Sequence, residues 1–256
     1  RHRMQVPSGA ASNQDSKITG LIDGVNELGI GNFNYAVVGS PAFVFKTNDY
    51  YRDSATGKVI VDPYTGMPTQ NPNLTQFGRT LPKHILGLSM SIHWKGFTLG
   101  AVAEYRSGNQ IIADQLGNFL DDNGISIRSG SYGRRAFIFP NSVYEQDGHY
   151  VNNTSVYTQN YGRVFYNNDI NTDVTSNYIA DGAFWKLREL TLSYEFPASF
   201  FKGKGIKGAS SGCTGRNLFM WLAESNQWND PECTAGGNSA YAGNGVGRST
   251  AYTQPP

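Results

Sequence analysis

The chain has 256 residues, of which 30 are glycine, 15 tyrosine and 14 phenylalanine, a composition that favours strands over helices. Charged residues make up 16% of it, against roughly 25% in an average soluble protein, and the formal net charge of +1 argues against a nucleic-acid partner. No run of about 18 or more apolar residues exists, which excludes a membrane-spanning helix but not the strands of a barrel.

The N-terminal Arg1-His2-Arg3-Met4-Gln5-Val6-Pro7 lacks the apolar core of a signal peptide, so the chain is expected to be cytoplasmic, processed or a fragment. Residues 7 to 16, rich in Ser, Gly, Ala and Asn, predict a loop. Residues 17 to 35 predict short strands at most, punctuated by Gly20, Gly24, Gly29 and Gly31. From Ala42 to Arg52 an aromatic strand is predicted. The turn Ala55-Thr56-Gly57-Lys58 and a return through Val59 to Asp62, stopped by Pro63, complete a small hairpin. Pro63, Pro68 and Pro72 then predict an extended connection.

The strongest pattern lies between His84 and Arg106. Leu86, Leu88, Met90, Ile92 and Trp94 fall on one face of a strand, with Gly87, Ser89, Ser91 and His93 on the other. Beyond a two-residue turn at Lys95-Gly96, Phe97, Leu99, Ala101, Ala103 and Tyr105 repeat the apolar side. Only Val102 interrupts the polar row of Thr98, Gly100, Glu104 and Arg106. At about 3.3 Å per residue such a strand reaches roughly 36 Å, which at a tilt of about 45° gives the roughly 25 Å apolar height of an outer-membrane barrel. Trp94, Phe97 and Tyr105 stand where interfacial aromatics would.

From Ser107 to Ala183 runs an excursion rich in Asn, Asp, Gly and Tyr, far longer than the usual connection of about 4 to 6 residues. Short turns at one end of the strands and a long loop at the other are the asymmetry of a transmembrane barrel, with the long loop outside. Further on, Leu190, Leu192, Tyr194 and Phe196 alternate with polar residues. The apolar phase is opposite at Trp185 and Leu187, which predicts a bulge near Arg188-Glu189. Pro197 to Gly205 is a short connection to another strand.

The block Asp181-Gly182-Ala183-Phe184-Trp185-Lys186-Leu187-Arg188-Glu189-Leu190-Thr191-Leu192-Ser193-Tyr194, followed by Gly215-Arg216-Asn217-Leu218-Phe219-Met220-Trp221, resembles the C-terminal barrel of SusC/RagA-type TonB-dependent transporters. Residues 17 to 28, Val37-Val38-Gly39 with Pro41, residues 57 to 68, the hairpin from Pro82 and the loop from Ser225 to Glu232 fit the same pattern. The resemblance implies that residues 1 to 256 are the C-terminal portion of a barrel of about 22 strands, without the plug domain and final strand. Gly208-Ala209-Ser210-Ser211-Gly212-Cys213 departs from it, being smaller and more polar than a lipid-facing strand requires, and predicts a weak strand there.

Asp121-Asp122-Asn123-Gly124 lacks the ligand spacing of a calcium loop, and the histidines at 2, 84, 93 and 149 form no zinc pattern. Cys213 and Cys233 are compatible with either a bridge or two thiols. No nucleophile with a base and no phosphate-binding glycine loop is present, so neither an enzyme nor a cofactor is expected. Tyr50, Tyr51, Tyr144, Tyr150, Trp228 and Asn229 are candidate substrate or partner contacts, since aromatic faces stack on sugars or peptide side chains while amides hydrogen-bond them.

The sequence thus reads as all-β, a fragment of a large antiparallel transmembrane β-barrel with long extracellular loops. The resemblance implies an outer-membrane importer of oligosaccharides or peptides, coupled to TonB through the plug, capped by a SusD-like surface lipoprotein and bounded by outer-membrane lipid. The alternative is a soluble or surface-attached β-sandwich that binds carbohydrate.

Overall fold

A computed structural model describes residues 3–13, 16–21, 25–31, 33–130, 134–159, 161–167, 169–203, 205, 208–233 and 247–248. The chain divides into two units. One comprises Arg1–Ser16, Pro82–Asn109 and Asp181–Asn226, the other Lys17–Leu81, Gln110–Ala180 and Gln227–Pro256. The fold is all-β, its strands mostly antiparallel.

With strands numbered along the whole chain, the first unit is a five-stranded sheet in the order β1 (Arg3–Asn13), β7 (His84–Trp94), β8 (Phe97–Ser107), β13 (Phe184–Glu195) and β14 (Ser210–Leu222). Every pairing in it is antiparallel. Trp94 pairs with Phe97, so Lys95 and Gly96 alone close the β7–β8 turn. Both have positive φ, 47° and 89°, the mirror-image turn whose twist matches that of the strands. A Cβ on Gly96 would stand 2.9 Å from the Glu195 carbonyl oxygen, so glycine is required there by both backbone angle and space.

The predicted bulge is present. The register of β13 shifts between Leu187 and Glu189 against both β8 and β14, and the extra residue, Arg188, turns its guanidinium to Glu104. Two expectations are corrected. Residues 7 to 13 are not a loop, because β1 runs to Asn13 along the edge of β7. Its register slips between Gln5 and Ser8, which places Pro7, with no N–H to donate, in the irregularity. Ser210–Leu222 is not a weak strand but pairs with β13 along its length. Main-chain hydrogen bonds do not depend on side-chain size, and a Cβ at Gly212 would meet the Ser193 Cβ at 2.9 Å.

In the second unit β2 (Glu27–Gly31), β3 (Asn34–Val37), β4 (Val44–Tyr50) and β6 (Gln70–Arg79) form an antiparallel sheet. The connection predicted from Pro63, Pro68 and Pro72 is therefore in part a strand. Pro72 lies where the β4–β6 register slips, between the pairs Asp49–Asn71 and Thr47–Thr75, and so needs no ladder hydrogen bond. The small hairpin is present at its closed end only. Arg52 and Val59 form a bridge and the Ile60 N–H donates to the Tyr51 carbonyl at 2.9 Å, but β5 (Val59–Ile60) then runs parallel to β10 (Ser142–Gln146). β10 pairs with β11 (His149–Asn152) across an Asp147-Gly148 turn.

The long excursion is not structureless. β9 (Gln110–Ile112) and β12 (Ile179–Asp181) pair near its two ends, and between them lie the short helices α1 (Asp114–Asp122), α2 (Ile127–Gly130), α3 (Tyr161–Asn167) and α4 (Asp169–Thr172). Tyr50, Val59, Val61 and Val174 form a buried cluster against which Phe139 and Tyr144 pack.

Candidate functional site

Residues directly opposite one another in an antiparallel sheet share a face, so the registers of the first unit assemble its two surfaces. One row runs Trp94, Phe97, Tyr194, Ser211, and the next Ile92, Leu99, Leu192, Cys213. Then follow Met90, Ala101, Leu190, Gly215; Leu88, Ala103, Leu187, Phe219; and Leu86, Tyr105, Trp185, Trp221. Aromatic rings thus occupy the two end rows, and aliphatic side chains dominate the rows between them. Phe97 and Tyr194 lie 4.4 Å apart between ring centroids, and Tyr105 stacks on Trp185 at 4.7 Å.

This face is open. Met90 is 41% exposed, Trp94 53% and Trp221 58%, although a β-sandwich would bury such a face against a second sheet. Eight residues separate Trp94 from Leu86, about 26 Å along the strand or roughly 19 Å of height at a tilt of about 45°, so the aromatic rows bracket a band that lies within the roughly 25 Å apolar height of a barrel wall. On β14 the rows end in Ser211, Cys213 and Gly215, which add little apolar area. Cys213 is a free, exposed thiol, so it forms no bridge to Cys233.

The opposite face is polar and paired. Glu104 accepts from Arg106 at 2.5 Å and from Arg188 at 2.6 Å, Glu189 lies 3.4 Å from Arg216, and His93 bonds Thr98 at 2.7 Å.

Each predicted contact residue lies in the second unit, and the strand period separates them. Tyr50 faces inward on β4, 3% exposed, with its hydroxyl donating to the Ile170 carbonyl at 2.7 Å and accepting from the Asn177 amide at 2.8 Å. It is a core residue with no surface to offer a solute, which corrects its assignment as a contact. Tyr51, one residue on, is exposed. Tyr144 packs on the core cluster, whereas Tyr150, on the partner strand of the same hairpin, is exposed.

Trp228, another of the candidate contacts, is half-buried against an aromatic and ionic cluster. The Arg128 guanidinium lies 4.9 Å from the Trp228 ring and 5.0 Å from the Tyr178 ring, and those two rings are 6.0 Å apart. Asn229 is half-buried beside it in sequence.

The anchor of this cluster is Asp121, fully buried on α1 and ion-paired to Arg128. Ser126 donates to it at 2.5 Å and Asn171 at 3.2 Å. A carboxylate held by a guanidinium and neutral donors is set up opposite to a calcium ligand. Burial opposes the charge on Arg128, but the Asp121 carboxylate outweighs it and leaves the guanidinium above its ordinary range. Burial also pushes the Tyr178 and Tyr50 hydroxyls above theirs. A Cβ on Gly117 would overlap the Tyr178 ring, so α1 packs its backbone directly on that ring. No motif in the sequence marks Arg128 or Tyr178, because the partners come from distant points of the excursion.

No family profile and no curated protein matches the chain. Among solved structures it is similar to the RagAB peptide transporter, at 18% identity and a TM-score of 0.55, over 86% of this chain and 23% of that one. The RagAB peptide importer in its "open-open" state matches at 19% identity and 0.60, again over 86% and 23%. Its "closed-closed" state matches at 21% and 0.56, over 86% and 24%. At these identities the likeness is one of fold, and the chain spans about a quarter of those chains' length.

Proposed function

We propose that the chain contributes wall and outer loops to an outer-membrane importer of the SusC/RagA type, with peptides its favoured cargo and oligosaccharides the alternative. The observation that carries this reading is the open apolar face of the first unit, bounded at both ends by aromatic rows, with ion pairs on the reverse face. That arrangement suits lipid on one side and a wet lumen on the other. Among the described residues no helix is long and apolar enough to cross a membrane.

Connectivity supports the same reading. The β7–β8 turn and the β13–β14 connection leave the sheet at one end of its strands, whereas 14–83, 108–183 and the residues after Leu222 leave at the other. The long segments are the extracellular ones in this scheme. Transport would couple to TonB through a plug domain, and a SusD-like lipoprotein would cap the outer side, as the family resemblance implies. Fold likeness to a peptide transporter favours peptides over glycans. We read the chain as a transport component and not as an enzyme.

The test is topology in the full-length protein on cells. A tag inserted between Asp147 and Gly148, at the exposed tip of the β10–β11 hairpin, is expected to label on intact cells. A tag at Gly96 is expected to label only after permeabilisation. The reverse pattern, or a protein that fractionates away from the outer membrane, contradicts the reading.

A further inference from the structure

We propose that a pocket in the second unit, formed by Arg128, Arg134, Arg135, Phe137, Ile138 and Tyr166, binds a residue with an apolar side chain and a free α-carboxylate, such as the C-terminal residue of a short peptide. Its volume of about 320 Å³ suits one residue and not an extended chain.

The walls are of two kinds. Phe137, Ile138 and Tyr166 are apolar or aromatic, and the Phe137 and Tyr166 rings stack at 6.0 Å. Against them stand guanidinium groups whose charges are unequally matched. Arg128 is paired with the Asp121 carboxylate. Arg134 donates from Nη2 to the Asp121 and Asp122 carbonyls at 3.4 and 3.2 Å and to Asn167 Oδ1 at 2.5 Å, all neutral acceptors. Among the described residues no carboxylate side chain pairs with Arg134 or Arg135. The pocket therefore keeps positive charge next to apolar surface, where a carboxylate gains charge-assisted hydrogen bonds and its side chain gains burial.

The backbone holds this geometry firmly. Arg134 has φ 57°, a left-handed conformation unfavourable for a residue with a side chain, and such outliers persist where the surroundings over-determine them. A Cβ at Gly162 would lie 2.6 Å from the Arg135 carbonyl oxygen, and the Gly162 N–H donates to that oxygen at 3.0 Å, so α3 packs without a gap against the arginine pair. A bare anion would use the guanidinium groups and leave the aromatic wall uncovered. The choice of a peptide end rests on the importer reading, but the preference for carboxylate over amide does not.

Ligand-observed NMR on the full-length protein, with N-acetylphenylalanine and its carboxamide as probes, tests the proposal. The acid is expected to bind roughly tenfold or more tightly than the amide, the difference a charged hydrogen-bond partner makes. Arg135→Gln, at an exposed position, and Arg134→Gln are each expected to bring the acid down toward the amide without changing the amide itself. Equal binding of acid and amide, or an acid affinity unchanged in Arg135→Gln, overturns the proposal. So does displacement by inorganic phosphate at the acid's own concentration, which would make the pocket a bare anion site. If neither probe binds while cells still import peptide, the pocket assignment falls and the importer reading stands.

Discussion

Replacing Met90 by arginine tests the wall assignment where the structure makes its cost largest. Met90 lies in the middle row of the apolar face, two rows from the aromatic ends marked by Trp94 and Leu86, about 13 Å along the strand either way. At the midplane of a barrel wall an arginine costs about 2 to 4 kcal/mol, whereas near the interfaces it costs about 0 to 1. The neighbour Ser91 points to the other face and sits opposite Gly100, which has no side chain and where even an added Cβ would meet nothing closer than 3.9 Å. Ser91→Arg therefore has room and a wet surface. The full-length protein refolded from urea into phospholipid vesicles is expected to show Met90→Arg less stable than Ser91→Arg by at least about 2 kcal/mol, roughly a thirtyfold shift in the folding equilibrium. Equal stability of the two variants, or a larger loss for Ser91→Arg, would refute the placement of this face against lipid.

Gly96→Ala is expected to cost about 1 to 2 kcal/mol in the same assay, from positive φ and the nearby Glu195 carbonyl, and a neutral result would mean that the turn relaxes freely. Trp228→Ala removes a ring from the Arg128 cluster and is expected to cost about 2 kcal/mol locally, read as faster hydrogen exchange in α1 and α2. Unchanged exchange there would make Trp228 a free loop residue after all. Burial raises the Tyr50 and Tyr178 hydroxyls, so their contribution is complete below the unfolded-state value of about 10 and is lost as pH rises through that value toward the folded one. In an alkaline titration of tyrosinate absorbance these two are expected to ionise last, with loss of the cluster. A single step for all 15 tyrosines with the fold intact would contradict their buried, hydrogen-bonded placement.

What the sequence revealed follows from which interactions are local. The β7–β8 hairpin is legible because its period of two runs from Leu86 to Trp94 and again from Phe97 to Arg106, with Val102 the one interruption, on either side of a turn that needs positive φ at Lys95 and Gly96. The bulge at Arg188 is legible because a slip of one residue reverses the apolar phase. Residues of β1 carry no such pattern, since Ser8, Gly9, Ala10 and Ala11 have weak strand preference and take their conformation from the edge of β7. The second unit was least legible. Its prolines suggested a loop where a bulged strand forms, and Asp121, Arg128, Asn171, Tyr178 and Trp228 meet only through tertiary packing. Consecutive tyrosines looked alike as contact residues until the backbone placed Tyr50 inside and Tyr51 outside.

Single cysteines introduced in turn from Leu88 to Ile92 into the full-length protein, with Cys213 and Cys233 replaced, and spin-labelled in a bilayer, measure which face meets lipid. Labels at 88, 90 and 92 are expected to be relaxed by oxygen dissolved in the hydrocarbon and shielded from a water-soluble nickel reagent, with 89 and 91 showing the opposite. An alternation of the opposite phase, or equal access of the nickel reagent to all five positions, would contradict the membrane wall.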